Sequence, residues 1–387
     1  MEYVGKLILP DGIVLGRVTI ENGIITNVVA DMAPPAENLP YIAPGFVDIH
    51  NHGAMGHDYM EATDEAFTAA AEHLARHGVT SAQCATVSAP VGQLRTFFDA
   101  YRAYQKTADK NRCRFVGIHI EGPYIAPAAK GAHQLSTLLT PEKDGYGWVL
   151  ENRDIIGELT VAPELPGMPK MIEDLVEAGI VVSGGHDAAE PEDVVSAAKA
   201  GMTHCTHIYC AMSTLHKTGM HRRHGLCEYA MANDTLTAEM IADNHHIPPV
   251  LAKIIYNAKG AEKLCLVSDA IAPAGLPESD ELYCLGTGDD CTKVFVQDGV
   301  AIVEDKTCYA GSVQALDQMV RNVVFDAKIP LHDAVRMASL TPAEVIGIDG
   351  ECGSIAAGKR ADLVLLDENL QVIKTVIGGD VAYERGV

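Results

Sequence analysis

The stretch Tyr41-Ile-Ala-Pro-Gly-Phe-Val-Asp-Ile-His50-Asn-His52-Gly53 ends an apolar run on two histidines one residue apart. On a β-strand, residues i and i+2 point to the same side, so His50 and His52 face one point in space, as a metal ion requires. The pair alone reads equally well as two hydrogen-bonded core histidines. The form of the stretch, an apolar run that stops on His, Glu or Asp beside a small residue, recurs along the chain. It returns in Phe115-Val-Gly-Ile-His119-Ile-Glu121-Gly-Pro123, in Ile180-Val-Val-Ser-Gly-Gly-His186-Asp187, in Thr203-His204-Cys-Thr-His207-Ile-Tyr209 and in Leu264-Cys-Leu-Val-Ser-Asp269-Ala270.

Between these runs the pattern alternates. Strand-like segments are predicted at 80–84, 115–120, 158–162, 180–183, 204–208, 240–242 and 264–268, and helices at 64–76, 170–178, 191–200, 248–258 and 313–323. Alternation over roughly 300 residues predicts an α/β fold of the (β/α)8 type. A doubly wound open sheet is the alternative, but no GxGxxG fingerprint opens an early helix. Residues 3–30 read instead as short strands with turns, with Asn22-Gly23 as a hairpin signal. Residues 33–40 read as a proline-rich connector. The strand-and-turn style returns at 353–376, so both chain ends are expected to form one small β module: residues 1–47 with 350–387, around a catalytic barrel of 48–349.

In a barrel, chemistry sits at the C-terminal ends of the strands. Any one of the five strand-end motifs has a bland reading; Asp269, for example, could cap a helix. Five in chain order favour a metal centre, and four histidines with two carboxylates suit one or two borderline divalent ions such as Zn²⁺. His204 and His207 are three apart and face opposite sides of a strand, so one is expected to line the site, and His207 is nearer the strand's end. His119 lies deeper than Glu121 and reads as a supporting or core residue. His57, His73, His77, His216, His221, His224 and His332 read as surface or packing residues.

The formal net charge is −23, from 29 Lys and Arg against 52 Asp and Glu, without a basic run. That argues against nucleic acid and anionic membranes as partners, while leaving room for a phosphorylated small molecule in a local cationic pocket. No signal-peptide pattern opens the chain, and no window holds the ~18 apolar residues of a membrane span. Ten cysteines occur without a CxxC pair. Cys84, Cys205 and Cys265 lie in apolar runs, and the set reads as free thiols of a reducing cytoplasm rather than a disulfide framework.

The chain resembles the amidohydrolase superfamily and, within it, the N-acetylglucosamine-6-phosphate deacetylases. The resemblance is carried nearly end to end. Its motifs are Ala43-Pro-Gly-Phe-Val-Asp-Ile-His50-Asn-His52-Gly, His119-Ile-Glu121-Gly-Pro, Lys130-Gly-Ala-His133, Val161-Ala-Pro-Glu164, Thr206-His207-Ile-Tyr-Cys210-Ala-Met212, Ile241-Ala-Asp243-Asn-His-His246, Leu266-Val-Ser-Asp269-Ala-Ile-Ala-Pro-Ala-Gly275, Ala310-Gly-Ser312 and Gly358-Lys-Arg-Ala-Asp362-Leu. It implies a distorted TIM barrel with a small β-sandwich built from both chain ends. Family members differ at the first motif, and retention of His50 and His52 resembles the two-metal type, with Zn the leading ion and Fe, Mn or Co as alternatives. Glu121 would bridge the ions, His186 and His207 would complete the second site, and Asp269 would lie near both metals and water.

The implied reaction is hydrolysis of the N-acetyl amide of N-acetylglucosamine 6-phosphate. Metal-bound water is the nucleophile, Asp269 the general base and then acid, and His133 the donor to the carbonyl oxygen. The resemblance also implies substrate contacts from Cys210, Ala211, Arg222 and His246, with Arg223 and His245 as adjacent alternatives to the last two. It further implies a homodimer whose partner subunit supplies the Arg222 region. Two positions depart from the pattern: Cys210 stands where the family has Asn, and Asn244 where it has Gly. A thiol is a weak donor where an amide offers both donors and an acceptor. The galactosamine epimer is therefore an alternative substrate. A cyclic-amide hydrolase is a further alternative, disfavoured because such enzymes bridge their metals with a carboxylated lysine. A scaffold without activity is the last.

Overall fold

The computed structural model describes residues 1–30, 38–279, 281–288 and 291–386. Most of the connector expected at 33–40 lies outside these residues. Eight parallel strands form the barrel: β1 Phe46–Asp48, β2 Val79–Thr86, β3 Arg114–Glu121, β4 Ile156–Val161, β5 Val181–Gly184, β6 His204–Cys205, β7 Ala238–Met240 and β8 Leu264–Leu266. β1 to β6 pair in sequence order as one sheet, and β7 pairs with β8. The ring is completed by a few hydrogen bonds at each seam rather than by long ladders, Ile208 N–H donating to the Glu239 carbonyl at 2.9 Å and His52 N–H to the Ala270 carbonyl at 2.8 Å, with one further bond at each seam. Thr237 N–H donates to the Thr203 carbonyl at 3.0 Å, and Asp269 N–H to the His50 carbonyl at 2.9 Å. These two seams are where the barrel is distorted.

The strands read as apolar runs because both faces are covered, by helices outside and by packed side chains inside; every residue of β2 is buried. The helices follow from capping and periodicity. Asp64–Arg76 starts where Thr63 Oγ1 accepts the Ala66 N–H at 3.2 Å. Met168–Glu177 buries Met168, Met171, Ile172 and Leu175, one stripe at helical spacing. Pro191–Ala200 begins on proline and stops at Gly201, whose φ of 116° only glycine adopts readily.

The chain ends form the small β-sandwich. Its strands run in the order Asp380–Glu384, Val372–Ile377, Leu363–Leu366, Tyr41–Pro44, Glu2–Leu9, Gly12–Glu21, Ile24–Ala30. They enclose a second core that includes Leu7, Val18, Ile25, Ile42, Leu363 and Val376. Asn22-Gly23 makes the expected hairpin turn, with φ of 51° and 79°. The opening stretch thus spans both parts: Tyr41–Pro44 belongs to the sandwich and Phe46–Asp48 to the barrel. Gly45 joins them where a Cβ would collide with Thr80.

Five expectations are corrected. The strand predicted at 204–208 covers only His204–Cys205, because the chain turns at His207 and Tyr209, with φ of 24° and 72°. The strand predicted at 240–242 lies at Ala238–Met240, and the helix predicted at 313–323 at Leu316–Phe325. Four antiparallel strands between 283 and 312 were not anticipated: Tyr283–Leu285, Thr292–Gln297, Val300–Val303 and Tyr309–Ser312. Their signal was present in Asp298-Gly299, a hairpin turn with φ of 55° and 77°. Finally, Cys284 and Cys291 form a disulfide across the first of these hairpins, whereas eight cysteines, including Cys84, Cys205 and Cys265, are free.

Candidate metal centre

The strand ends converge on Glu121, the last residue of β3. His207 Nε2 lies 2.8 Å and His186 Nε2 3.1 Å from its Oε1, and His50 Nε2 lies 3.6 Å from the same oxygen. His52 Nε2 lies 3.5 Å from Oε2. Asp269 Oδ1 stands 3.2 Å from His52 Nε2 and 3.6 Å from His50 Nε2. Two triads therefore share one carboxylate: His50, His52 and Glu121, and Glu121, His186 and His207.

Backbone geometry aims these groups. His186, His207 and Asp269 all have positive φ, at 47°, 24° and 46°. Non-glycine residues rarely adopt that conformation, and it persists only where surrounding bonds hold it. Here Ala126 N–H donates to the His186 carbonyl at 2.8 Å, and Ser312 N–H to the Asp269 carbonyl at 2.8 Å. The His207 N–H donates to Glu239 Oε2 at 3.0 Å.

The hydrogen-bond network also orients the imidazoles. His50 Nδ1 lies 2.9 Å from Glu239 Oε2, and His186 Nδ1 lies 2.8 Å from the Ala129 carbonyl. Both partners only accept, so the Nδ1 atoms carry protons and the Nε2 lone pairs face the site. The Nε2 atoms meet in pairs, His50 with His52 and His186 with His207, each at 3.2 Å. The His186 Nε2 lone pair also faces Glu121 Oε1 at 3.1 Å, and two acceptors at that separation repel unless a cation lies between them. The donor set, four imidazoles and two carboxylates, fits borderline divalent ions.

Charge follows the same logic. Burial opposes ionisation of Glu121, yet His50, His133 and His186 hold its carboxyl well below the usual range. Asp269 is likewise lowered, His50 and His52 outweighing burial. His133 goes the other way: burial lowers it to about 4. Its Nδ1 accepts the Ser88 N–H at 3.0 Å, so the neutral ring carries its proton on Nε2, 3.3 Å from Glu121 Oε2.

Above these groups lies a cavity of about 270 Å³. Its lining includes His52, Glu121, His133, His186, His207, Cys210, Ala211, His246 and Asp269, while His50 is fully buried behind them. His246 Nδ1 lies 2.7 Å from Asp243 Oδ2; burial resists its charge, but the bond and charge of Asp243 raise it. Neither Lys nor Arg is among the described residues of the lining. Arg222 is exposed on the hairpin His216–Thr218/His221–Arg223, away from the cavity, and Arg223 is paired with Glu190 at 3.0 Å.

The match of both triads to the amidohydrolase pattern agrees with the whole chain. The amidohydrolase family model covers residues 41–382. The chain belongs to that family. It is 30% identical to the N-acetylglucosamine-6-phosphate deacetylase of Bacillus subtilis (strain 168), over 95% of this chain and 93% of that protein. It is also 32% identical to the N-acetylgalactosamine-6-phosphate deacetylase of Escherichia coli O157:H7, over 88% of this chain and 87% of that protein. The structure of an Asp-to-Ala variant of the Mycobacterium smegmatis N-acetyl-D-glucosamine-6-phosphate deacetylase, in complex with N-acetyl-D-glucosamine-6-phosphate, superposes with a TM-score of 0.89. That likeness covers 99% of each chain at 30% identity.

Some expectations for the amidohydrolase site need correction. His207 lines the cavity and His204 does not, as expected, but His204 points into the barrel rather than away, its Nε2 3.7 Å from Glu239 Oε1 and 3.9 Å from Glu158 Oε1 and its Nδ1 2.6 Å from Thr237 Oγ1, because the strand ends before His207 and the alternation stops with it. His119 supports the floor as expected from its depth, with Nε2 2.7 Å from Thr160 Oγ1 and Nδ1 3.2 Å from the Ile49 carbonyl. Sequence reasoning missed Glu239, which nothing in Thr237-Ala-Glu-Met240 marks as special. It also missed Leu285 and Tyr309, which line the cavity from the unanticipated sheet.

Proposed function

We propose that this amidohydrolase hydrolyses the N-acetyl amide of N-acetylglucosamine 6-phosphate, giving acetate and glucosamine 6-phosphate. The observation that carries the reading is the meeting of Asp269 with His50 and His52, and of the neutral His133 with Glu121, around two His triads that share the Glu121 carboxylate. His50, His52, Glu121, His186, His207 and Asp269 would hold two divalent ions per subunit, Zn²⁺ first among Zn, Fe, Mn and Co. When bound, such ions lower the pKa of water and polarise a carbonyl.

The chain's own residues do the rest. Asp269, kept anionic, takes the proton of the attacking water and returns it to the amine nitrogen as the tetrahedral intermediate collapses. His133 donates from Nε2 to the carbonyl oxygen as negative charge develops there. Because burial keeps His133 neutral down to about pH 4 and its Nδ1 accepts from the Ser88 N–H, its one proton sits on Nε2, where it is donated. Glu121, shared by both triads, keeps the two halves of the floor in register.

Cys210, Ala211 and His246 form the sugar-binding rim in this reading. The phosphate would be met by the His246 cation and by Arg222 of a second copy in a homodimer, since the described lining of the cavity has no cation of its own besides histidine. We also read the chain ends as one unit and the barrel between them as the catalytic unit, with the first boundary, expected at 47/48, moved to Gly45 because Phe46–Asp48 is β1. The eight free cysteines support a cytoplasmic setting.

The galactosamine epimer is the second reading, favoured by Cys210 and by a relative of that activity at 32% identity. The deciding measurement is acetate release from both N-acetylated hexosamine 6-phosphates and from unphosphorylated N-acetylglucosamine, with ion content counted. Turnover of the glucosamine phosphate above its epimer supports the first reading. Turnover of neither phosphate by fully loaded protein overturns both.

A further inference from the structure

We infer that Glu239 is a positioning residue that holds both halves of the metal centre from beneath. The inference rests on the two-ion reading above. Glu239 is fully buried in β7, where its neighbours Ala238 and Met240 pair with Leu264 and Leu266 of β8. One oxygen, Oε2, receives two hydrogen bonds: His50 Nδ1 at 2.9 Å and the His207 N–H at 3.0 Å. His50 belongs to one triad and His207 to the other.

The two bonds do different work. The first fixes the ring and tautomer of His50, so that Nε2 presents its lone pair to the site; partners of this kind raise ligand basicity as well as aim the ring. The second steadies a backbone turn. His207 sits at φ 24°, and the next N–H, of Ile208, donates to the Glu239 carbonyl at 2.9 Å. One residue thus captures two successive N–H groups of a strained turn and one imidazole from across the barrel. The other oxygen, Oε1, lies 3.7 Å from His204 Nε2, beyond hydrogen-bond distance, so the carboxylate is not committed to that neighbour.

The test compares Glu239→Leu and Glu239→Gln with the wild type. Ion affinity is measured by competition with a chromophoric chelator, ion content by elemental analysis, and folding by the melting transition of metal-free protein. Wild type is expected to hold two ions per chain. E239L is expected to bind them about 10- to 100-fold more weakly, with a lowered but still cooperative metal-free melting transition because His50 Nδ1 and the His207 N–H lose their acceptor, and with excess metal recovering part of kcat. E239Q, which keeps a carbonyl oxygen, is expected to fall between the two, and it carries the test if E239L has no melting transition.

Wild-type affinity for both ions in these variants overturns the inference, whatever happens to kcat. A single ion in wild-type protein overturns the two-ion reading instead, and the affinity of that ion in the variants still decides on Glu239. Wild-type protein that takes up no ion overturns both.

Discussion

The floor of the cavity and its rim are built differently. On the floor, His50 Nδ1 and the His207 N–H donate to Glu239, His186 Nδ1 donates to the Ala129 carbonyl, and the His186 carbonyl accepts from the Ala126 N–H, so the supporting atoms come from barrel strands or the turns that leave them. The rim is made of loops and of the inserted sheet: Cys210 and Ala211 follow the His207 turn, and Leu285 and Tyr309 come from strands between 283 and 312. In the proposed function the floor would carry the hydrolysis and the rim the choice of amide. The chain is 30% identical to a glucosamine-phosphate deacetylase and 32% identical to a galactosamine-phosphate one.

The strongest way to break this contrast is at Asp269. Asp269→Asn is expected to lower kcat about 10⁴-fold, the upper end for a positioned acid–base, whichever hexosamine phosphate is used. A loss confined to one epimer would mean that Asp269 belongs to the rim. Next comes His133→Phe, expected to lower kcat about 10²-fold with little change in KM, since the donor acts on charge that develops in the transition state. Steady-state kinetics with counted ions reads both.

A pH series sharpens the comparison, because the two regions use histidine in opposite charge states. His133 is held neutral by burial, so the donor it provides is unchanged from about pH 4 upward. His246 is raised by Asp243, so its cation is complete below the ordinary histidine pKa and disappears as pH rises through the raised value. KM for the phosphorylated sugar is therefore expected to rise in that upper range, by about tenfold per unit at most, while KM for the unphosphorylated sugar does not follow. Equal pH profiles for the two sugars would remove His246 from phosphate binding.

The smallest effect is expected at Cys210. Cys210→Asn restores an amide donor and acceptor and is expected to lower KM for the preferred hexosamine phosphate a few-fold, on the scale of one net hydrogen bond of about 1 kcal/mol. If it instead exchanges the preferred epimer, Cys210 is the residue that selects between them.

Much of the barrel was legible because buried parallel strands are apolar runs and the helices between them carry caps and stripes: 64–76 and 191–200 fall where their signals predict. The two-residue β6 was not, since nothing local distinguishes His204–Cys205 from a longer strand; the turn is held by Glu239, 32 residues away from His207. The strands between 283 and 312 went unread although Asp298-Gly299 marks a hairpin.

By itself, the sequence determined the fold class and the set of chemically competent side chains, because strand and helix periodicities are local and ligands must follow apolar runs at strand ends. Only the tertiary structure decided which nitrogen of each imidazole faces the site, that His204 lies beneath it, that Arg222 lies outside it, and that Glu239 joins its halves. Those are relations between residues far apart in the chain, such as the 189 positions separating His50 from Glu239. Hydrogen bonds across a closed barrel form only when distant strand ends are brought together.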